Sequence, residues 1–265
     1  MIAYGEVGEA RLRGTADSGA RRSLAAGIVL LTALVLAGGC GPASRPRSHP
    51  ATVDGCLELT GAARRLELRP TSGPSPVPAV LVGTGRTAFV LTDESDENLC
   101  SWLPFVTILR ARGYAALLYD YLDPGSLPAE VAAAARAAID AGATHVVLLG
   151  ASVGARASIE AAAAHPAGVS AVVSLSAEQT VRSDSTDLAR VARRLTLPTL
   201  LVSAREDPFV EGFTPTLLRA IATRDKRALI LSGIDHGTAL LTDSDGPRVR
   251  ATILGFISRA NPPVG

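Results

Sequence analysis

Residues 144–166 read "THVVLLGASVGARASIEAAAAHP", an apolar run of strand character that ends at Gly150 and an alanine-rich helical run that starts at Ala155, with Ser152 between them. A serine hydroxyl is a weak nucleophile, so a serine that does chemistry needs a neighbouring base and an exposed presentation. A sharp turn from strand into helix presents it, and the crowding at such a turn requires small residues two positions before and after the serine. Gly150 and Gly154 occupy those positions and Ala151 is small as well. The Gly-x-Ser-x-Gly spacing alone is weak in a chain with 25 glycines. Its strand and helix flanks are what make this stretch read as a nucleophile elbow.

Outward from the elbow the chain alternates between two periods. "RLELR" (65–69), "AVLVG" (79–83) and "TAFVLT" (87–92) read as strands, with a Pro/Ser/Gly loop at 70–78. "WLPFVTILRAR" (102–112) has helical spacing and stops at Gly113, a helix-terminating signal. "YAALLYDY" (114–121) predicts a strand, 128–142 a helix and 144–150 a strand; after the elbow helix (155–166), strands follow at 169–176, 198–204 and 227–233. Helices are expected at 185–195, 212–224 and 247–260. Strands apolar on both faces, alternating with helices, indicate an α/β fold with a mostly parallel sheet covered by helices on both faces. The first strands are joined by loops too short for a helix, so the sheet is expected to open with antiparallel strands.

The elbow needs a base. His49 lies in a Pro/Ser-rich stretch, His145 precedes the strand end remote from Ser152, and His165 is a helix-length from the elbow. His236, in "SGIDHGTAL" after the last strand, is the candidate, because loops at the carboxyl ends of parallel strands gather on one sheet edge. A carboxylate must then orient the imidazole and stabilise its charged form. Asp207, in "LLVSAREDPFV", directly follows a strand on that edge; Glu206 and Asp235 compete with it, and Asp207 is favoured because Asp235 is the sequence neighbour of His236 and neighbouring side chains rarely face each other.

The order Ser, Asp, His, the strand-serine-helix elbow, "AREDP" after a strand and "DHG" before a final helix resemble the α/β-hydrolases over residues 64–260. The resemblance implies a triad of Ser152, Asp207 and His236, and an oxyanion hole built from the Val153 N–H and a second N–H, of Asp93 or Glu94, in the loop after "TAFVLT". That loop departs from the family. Members usually carry His-Gly there, whereas this chain has "TDESDE" (92–97), and acidic groups are unexpected beside a site that must stabilise an oxyanion. Their carboxylates are expected to face solvent, with a cation site as the alternative. No large lid domain is expected, since one helix uses most of the residues between Ser176 and Pro198, and the site should be open.

The N-terminus and cysteines bear on where this chemistry takes place. Arg21 and Arg22 precede the uncharged run "SLAAGIVLLTALVLAGG" (23–39), which ends in small residues before Cys40, so 1–39 reads as an export signal. An uncleaved membrane anchor is the alternative. "LVLAGGC" resembles a bacterial lipobox, with Cys40 lipidated as the mature N-terminus; Ala37 stands where a leucine is usual. Arg21-Arg22 with Leu24 weakly resembles a twin-arginine signal, although ordinary export is preferred. Residues 40–63 read as a tether, and 64–265 as the catalytic domain. Cys56 and Cys100 remain as an even pair, expected to form a disulfide in an oxidising compartment, with two buried thiols as the alternative. Neither CxxC nor HxxxH spacing occurs, so no metal site is expected. The formal charge of +1, neutral once 1–39 is removed, gives no sign of a nucleic-acid partner.

The expected protein is thus an exported, lipid-anchored serine hydrolase of carboxylic esters that uses no cofactor. The same triad serves acyltransferases, peptidases and thioesterases. A binding or scaffold lipoprotein that kept the fold and lost activity is the rival from another class. Substrate identity and oligomeric state are not legible at this level.

Overall fold

The structure is a computed structural model that describes Cys56, residues 63–179 and residues 186–260. The expected export signal, Cys40 and most of the tether with His49 lie outside the described residues. Eight strands form one sheet: β1 (Ala63–Leu68), β2 (Val77–Val82), β3 (Thr87–Thr92), β4 (Ala115–Tyr119), β5 (His145–Ala151), β6 (Val169–Leu175), β7 (Thr199–Ala204) and β8 (Lys226–Leu231), in the spatial order β1-β2-β4-β3-β5-β6-β7-β8. β1 pairs with β2, and β2 with β4, antiparallel; every later pairing is parallel. The expected antiparallel opening of the sheet is therefore present. β5, which ends at the elbow, lies between β3 and β6, in the sheet interior.

Continuous apolar strands divide their side chains between two cores because successive residues point to opposite faces. Val146 and Leu148 of β5, with Ala88 and Val90 of β3, pack on one face against α2 (Leu127–Asp140), α3 (Val153–Ala163), α4 (Leu188–Ala192) and α5 (Thr214–Ala220). Val147 and Leu149, with Phe89 and Leu91, face α1 (Leu103–Ala111), α6 (Ala239–Thr242) and α7 (Gly246–Ala260). Phe89 anchors that second core through edge-on contacts with Phe105 and Tyr114.

Helix ends differ from the sequence pattern where tertiary bonds capture the backbone. The 212–224 helix is reduced to α5, because the Ala222 and Thr223 N–H groups donate to the Leu195 carbonyl instead of continuing the helix. The 185–195 helix is reduced to α4, started by Asp187, whose carboxylate accepts from the Ala189 N–H at 3.0 Å. Before α1, a short 3-10 turn at Leu99–Trp102 carries Cys100, which is joined by a disulfide to Cys56 with the Cα atoms 5.9 Å apart. The expected pairing is present, and it straps the chain before β1 to the turn that follows the acidic loop. No helix among the described residues is long and apolar enough to cross a membrane.

Candidate active site

Ser152 joins β5 to α3 with φ 54° and ψ −117°, a conformation that non-glycine residues adopt only when the surroundings impose it. The surroundings here are backbone. A Cβ at position 150 would collide with the Gly154 carbonyl, and one at 154 with the carbonyls of Thr92 and Asp93, which is why both flanking positions are glycine. α3 starts at Val153, earlier than its apolar pattern indicates, so the helix begins directly on the serine. The Val153 N–H, as the first of the helix, has no carbonyl in a preceding turn to bond. Among the described residues, the Asp93 and Glu94 N–H groups also donate to no backbone carbonyl outside the regular elements. Close approach of the Thr92–Asp93 backbone to Gly154 brings those candidate oxyanion donors to the start of α3.

His236 lies in the turn after β8, and its Nδ1 is 2.7 Å from Asp207 Oδ2 in the loop after β7. Asp207 is 1% exposed, and its Oδ1 accepts from the Phe209 N–H at 3.0 Å. Burial pushes the Asp207 carboxyl up, but the hydrogen bonds from His236 and Phe209, with the imidazole's charge, outweigh it and hold the carboxyl below its ordinary value. Burial likewise pulls His236 down, and the Asp207 hydrogen bond and charge, with Glu94 and Glu178, outweigh it and raise the imidazole above its ordinary value. Nδ1–H donating to Asp207 leaves Nε2 as the nitrogen able to take a proton. The Phe209 ring, 61% exposed, sits 4.7 Å from the imidazole between centroids.

The competing acids are occupied elsewhere. Glu206 is exposed, and its Oε2 accepts from the Gly233 N–H at 2.6 Å. Asp235 lies among carboxylates: slight burial, then Asp243 and Asp245, raise its carboxyl. His145 bonds to Thr144 at the opposite end of β5, and His165 follows α3.

The acidic loop corrects the sequence expectation at two of its positions. Asp96 and Glu97 are exposed as expected, but Asp93 and Glu94 are buried. Asp93 accepts from the indole N–H of fully buried Trp102 at 2.5 Å. Burial, followed by the charge of Asp120, pushes its carboxyl well above its ordinary value. Glu94 reaches across the site to Thr238, accepting from both its N–H, at 3.0 Å, and its hydroxyl. Burial raises its carboxyl too, with the Thr238 bonds pulling the other way. A Cβ at Gly237 (φ 55°) would collide with the Glu94 carboxylate, which gives the glycine of "DHG" its reason. Side chains that look like solvated charges in sequence thus fix the 92–97 loop to Trp102 and to the turn that carries His236.

Sequence reading also missed Glu178. It follows β6 by three residues, and its Oε1 accepts the hydrogen bond from Ser152 Oγ at 2.6 Å. The serine hydroxyl therefore rests on Glu178 and not on His236. The only signal available in sequence was its place after a parallel strand, on the edge that also carries Ser152, Asp207 and His236.

No protein-family model matches the chain, and no curated protein matches it in sequence. Solved structures match it over most of their length. An esterase of Pyrococcus furiosus is 11% identical with a TM-score of 0.63, covering 75% of this chain and 91% of its own. A dienelactone hydrolase of Anabaena variabilis is 21% identical at 0.60, covering 75% and 98%. A monoacylglycerol lipase of Paleococcus ferrophilus is 16% identical at 0.59, covering 69% and 98%. The chain has the α/β-hydrolase fold. Residues 176–187 between β6 and α4 are too few for a large lid domain.

Proposed function

We propose that the protein is a serine hydrolase of carboxylic esters. Ser152 Oγ attacks the ester carbonyl as its proton passes to His236 Nε2, and the oxyanion is received by the Val153 N–H with the Asp93 or Glu94 N–H. Collapse expels the alcohol, which takes the proton from His236 and leaves an acyl-Ser152. Water then attacks the acyl carbon as His236 takes its proton. The second tetrahedral intermediate releases the acid, and the proton returns to Ser152. Asp207 holds the imidazole in the required tautomer and stabilises its charged form.

The observation that carries this reading is the bonded His236–Asp207 pair, with Nε2 left for the proton, on the sheet edge where a strained serine opens a helix. The nearness of Ser152 to His236 that this reading needs is supported by Glu178, whose carboxylate touches Ser152 and whose charge is felt by His236. The fold it shares with esterases and lipases supports ester substrates as the class. A fluorophosphonate probe tests the reading: it should label the wild type and not Ser152→Ala, and p-nitrophenyl esters of increasing chain length should then define the acyl preference.

A second reading, an inactive binding or scaffold protein, is favoured by one observation, the serine hydroxyl resting on Glu178. A well-folded wild type that the probe does not label would select it. We further propose export, with residues 1–39 as the signal and Cys40 as a lipid attachment point on the outer face of the membrane. The Cys56–Cys100 disulfide supports an oxidising compartment. Cys40→Ser should release the protein from membranes; retention with 1–39 intact would identify an uncleaved anchor.

A further inference from the structure

Glu178 is set against the nucleophile by a built arrangement. Arg156, on the turn of α3 that begins at the elbow, is 2% exposed. Its guanidinium donates to the Gln179 carbonyl at 2.5 Å and to the Thr186 carbonyl at 2.6 Å, and it pairs with Glu160 at 2.9 Å. The helix that presents Ser152 therefore also fixes the backbone beside Glu178. At the end of β6, Ser176 turns the chain with φ 55°. Glu178 itself stays partly exposed, within reach of a bound molecule.

A hydroxyl hydrogen is directed to one acceptor at a time. Attack on an ester requires the Ser152 proton to reach His236, so the bond to Glu178 must first be given up. Hydrogen bonds to a charged acceptor are stronger than neutral ones, which makes this release cost on the order of 10- to 100-fold in rate. An anionic carboxylate beside the reacting oxygen also opposes the oxyanion. Both penalties disappear if an incoming group takes over the carboxylate. Arg156 is committed to its carbonyls and to Glu160, and the ion pairs among the described residues give Glu178 no basic partner. Glu94, the other carboxylate that His236 senses apart from Asp207, is tied to Thr238. Among the described residues no basic side chain takes that place, and a cationic group on the substrate would neutralise the charge as well as replace the bond.

On the reading of Ser152 as the nucleophile, we propose that Glu178 is the specificity-determining residue of the site: it restrains the serine against neutral esters and favours esters that carry an ammonium group close to the scissile carbonyl. Such a group displaces the Ser152 hydroxyl from Glu178, and the freed hydroxyl turns to His236.

The test compares p-nitrophenyl glycinate with p-nitrophenyl propionate, in which a methyl group replaces the ammonium, on wild type, Glu178→Gln and Glu178→Asp. Because intrinsic ester reactivity cancels between variants, the ratio of kcat/KM values is the readout. Glu178→Gln should raise kcat/KM for the propionate about tenfold, lower it for the glycinate about tenfold, and accelerate labelling by a neutral fluorophosphonate. It should also move the acid limb of the pH–rate profile downward, as a negative neighbour of His236 is removed, which a purely structural role for Glu178 would not do. Glu178→Asp keeps the charge and should retain the preference for the glycinate. Equal changes for both esters, or an unchanged ratio, in an enzyme that still labels at Ser152 would overturn the proposal alone. Absence of labelling and of turnover in folded wild type would bring down the hydrolase reading and this proposal with it.

Discussion

Two carboxylates reach the same edge of the sheet from adjacent parallel strands, Asp207 after β7 and Glu178 after β6, and they differ in what their partners allow. Asp207 is almost wholly buried, with one oxygen held by the Phe209 N–H and the other by His236. Glu178 is partly exposed, and the bond to Ser152 is one the serine must break to react. One carboxylate is fixed on both oxygens, as the proposed orienting acid must be, and the other is exchangeable. Burial and partner, not residue type, assign the role.

The strongest way to break this contrast is Asp207→Asn. With the imidazole deprived of its tautomer preference and charge stabilisation, turnover should fall on the order of ten-thousand-fold while circular dichroism and melting stay close to wild type. If that variant remains active while a charge-neutral change at Glu178 cripples the enzyme, the two roles are reversed. Gly237→Ala sharpens it from the histidine side. The added methyl meets the Glu94 carboxylate, so the turn carrying His236 must shift, and a loss of about a hundredfold in kcat is expected from such a displacement. An unchanged kcat would mean that Glu94 swings away freely and does not hold the turn.

The pH dependence separates the two partners of the pair. Since His236 is raised above its ordinary value, the acid limb of kcat/KM should have its midpoint above about pH 6.5. In Asp207→Asn the residual limb should move down. For stability, the His236 contribution is present below the unfolded imidazole value and is lost as pH rises through the raised folded one. The Asp207 contribution is present above the unfolded carboxyl value and is lost as pH falls through the depressed folded one. Denaturant midpoints measured across pH should therefore fall on both sides of that window, and Asp207→Asn should flatten the dependence. The smallest effect belongs to Glu206→Gln, in the same loop as Asp207 but with its carboxylate bonded to Gly233 after β8: steady-state rates should stay within about tenfold of wild type. A crippled Glu206→Gln would relocate the orienting acid.

Legibility in the sequence followed the range of the constraint. The elbow was readable because the small residues that permit it lie within two positions of the serine. The contact between Asp207 and His236 was readable because strand ends on a parallel sheet gather on one edge, so order along the chain stands in for proximity. Strands were readable from apolar runs, whereas helix ends moved wherever a distant carbonyl captured an N–H, as Leu195 does for Ala222 and Thr223. Glu178 and Glu94 were not readable in their roles. Nothing local in "SLSAEQT" or "TDESDE" separates them from solvated loop charges, and the contact between Glu94 and Thr238 spans 144 positions. Arg156, in an alanine-rich helix, gave no sign that it would be buried against two loop carbonyls.

Among the described residues β8 is the strand at one margin of the sheet and pairs only with β7, and Arg227 and Ala228 within it are exposed. Ser152, by contrast, stands on a strand flanked on both sides. The proposed base is therefore mounted on one of the most easily opened parts of the scaffold and the proposed nucleophile on one of the most secure. Warming should silence the enzyme before it melts: fraying of one border strand carries His236 away from Asp207 while the interior strands remain paired, so thermal inactivation and global unfolding become two events with different midpoints.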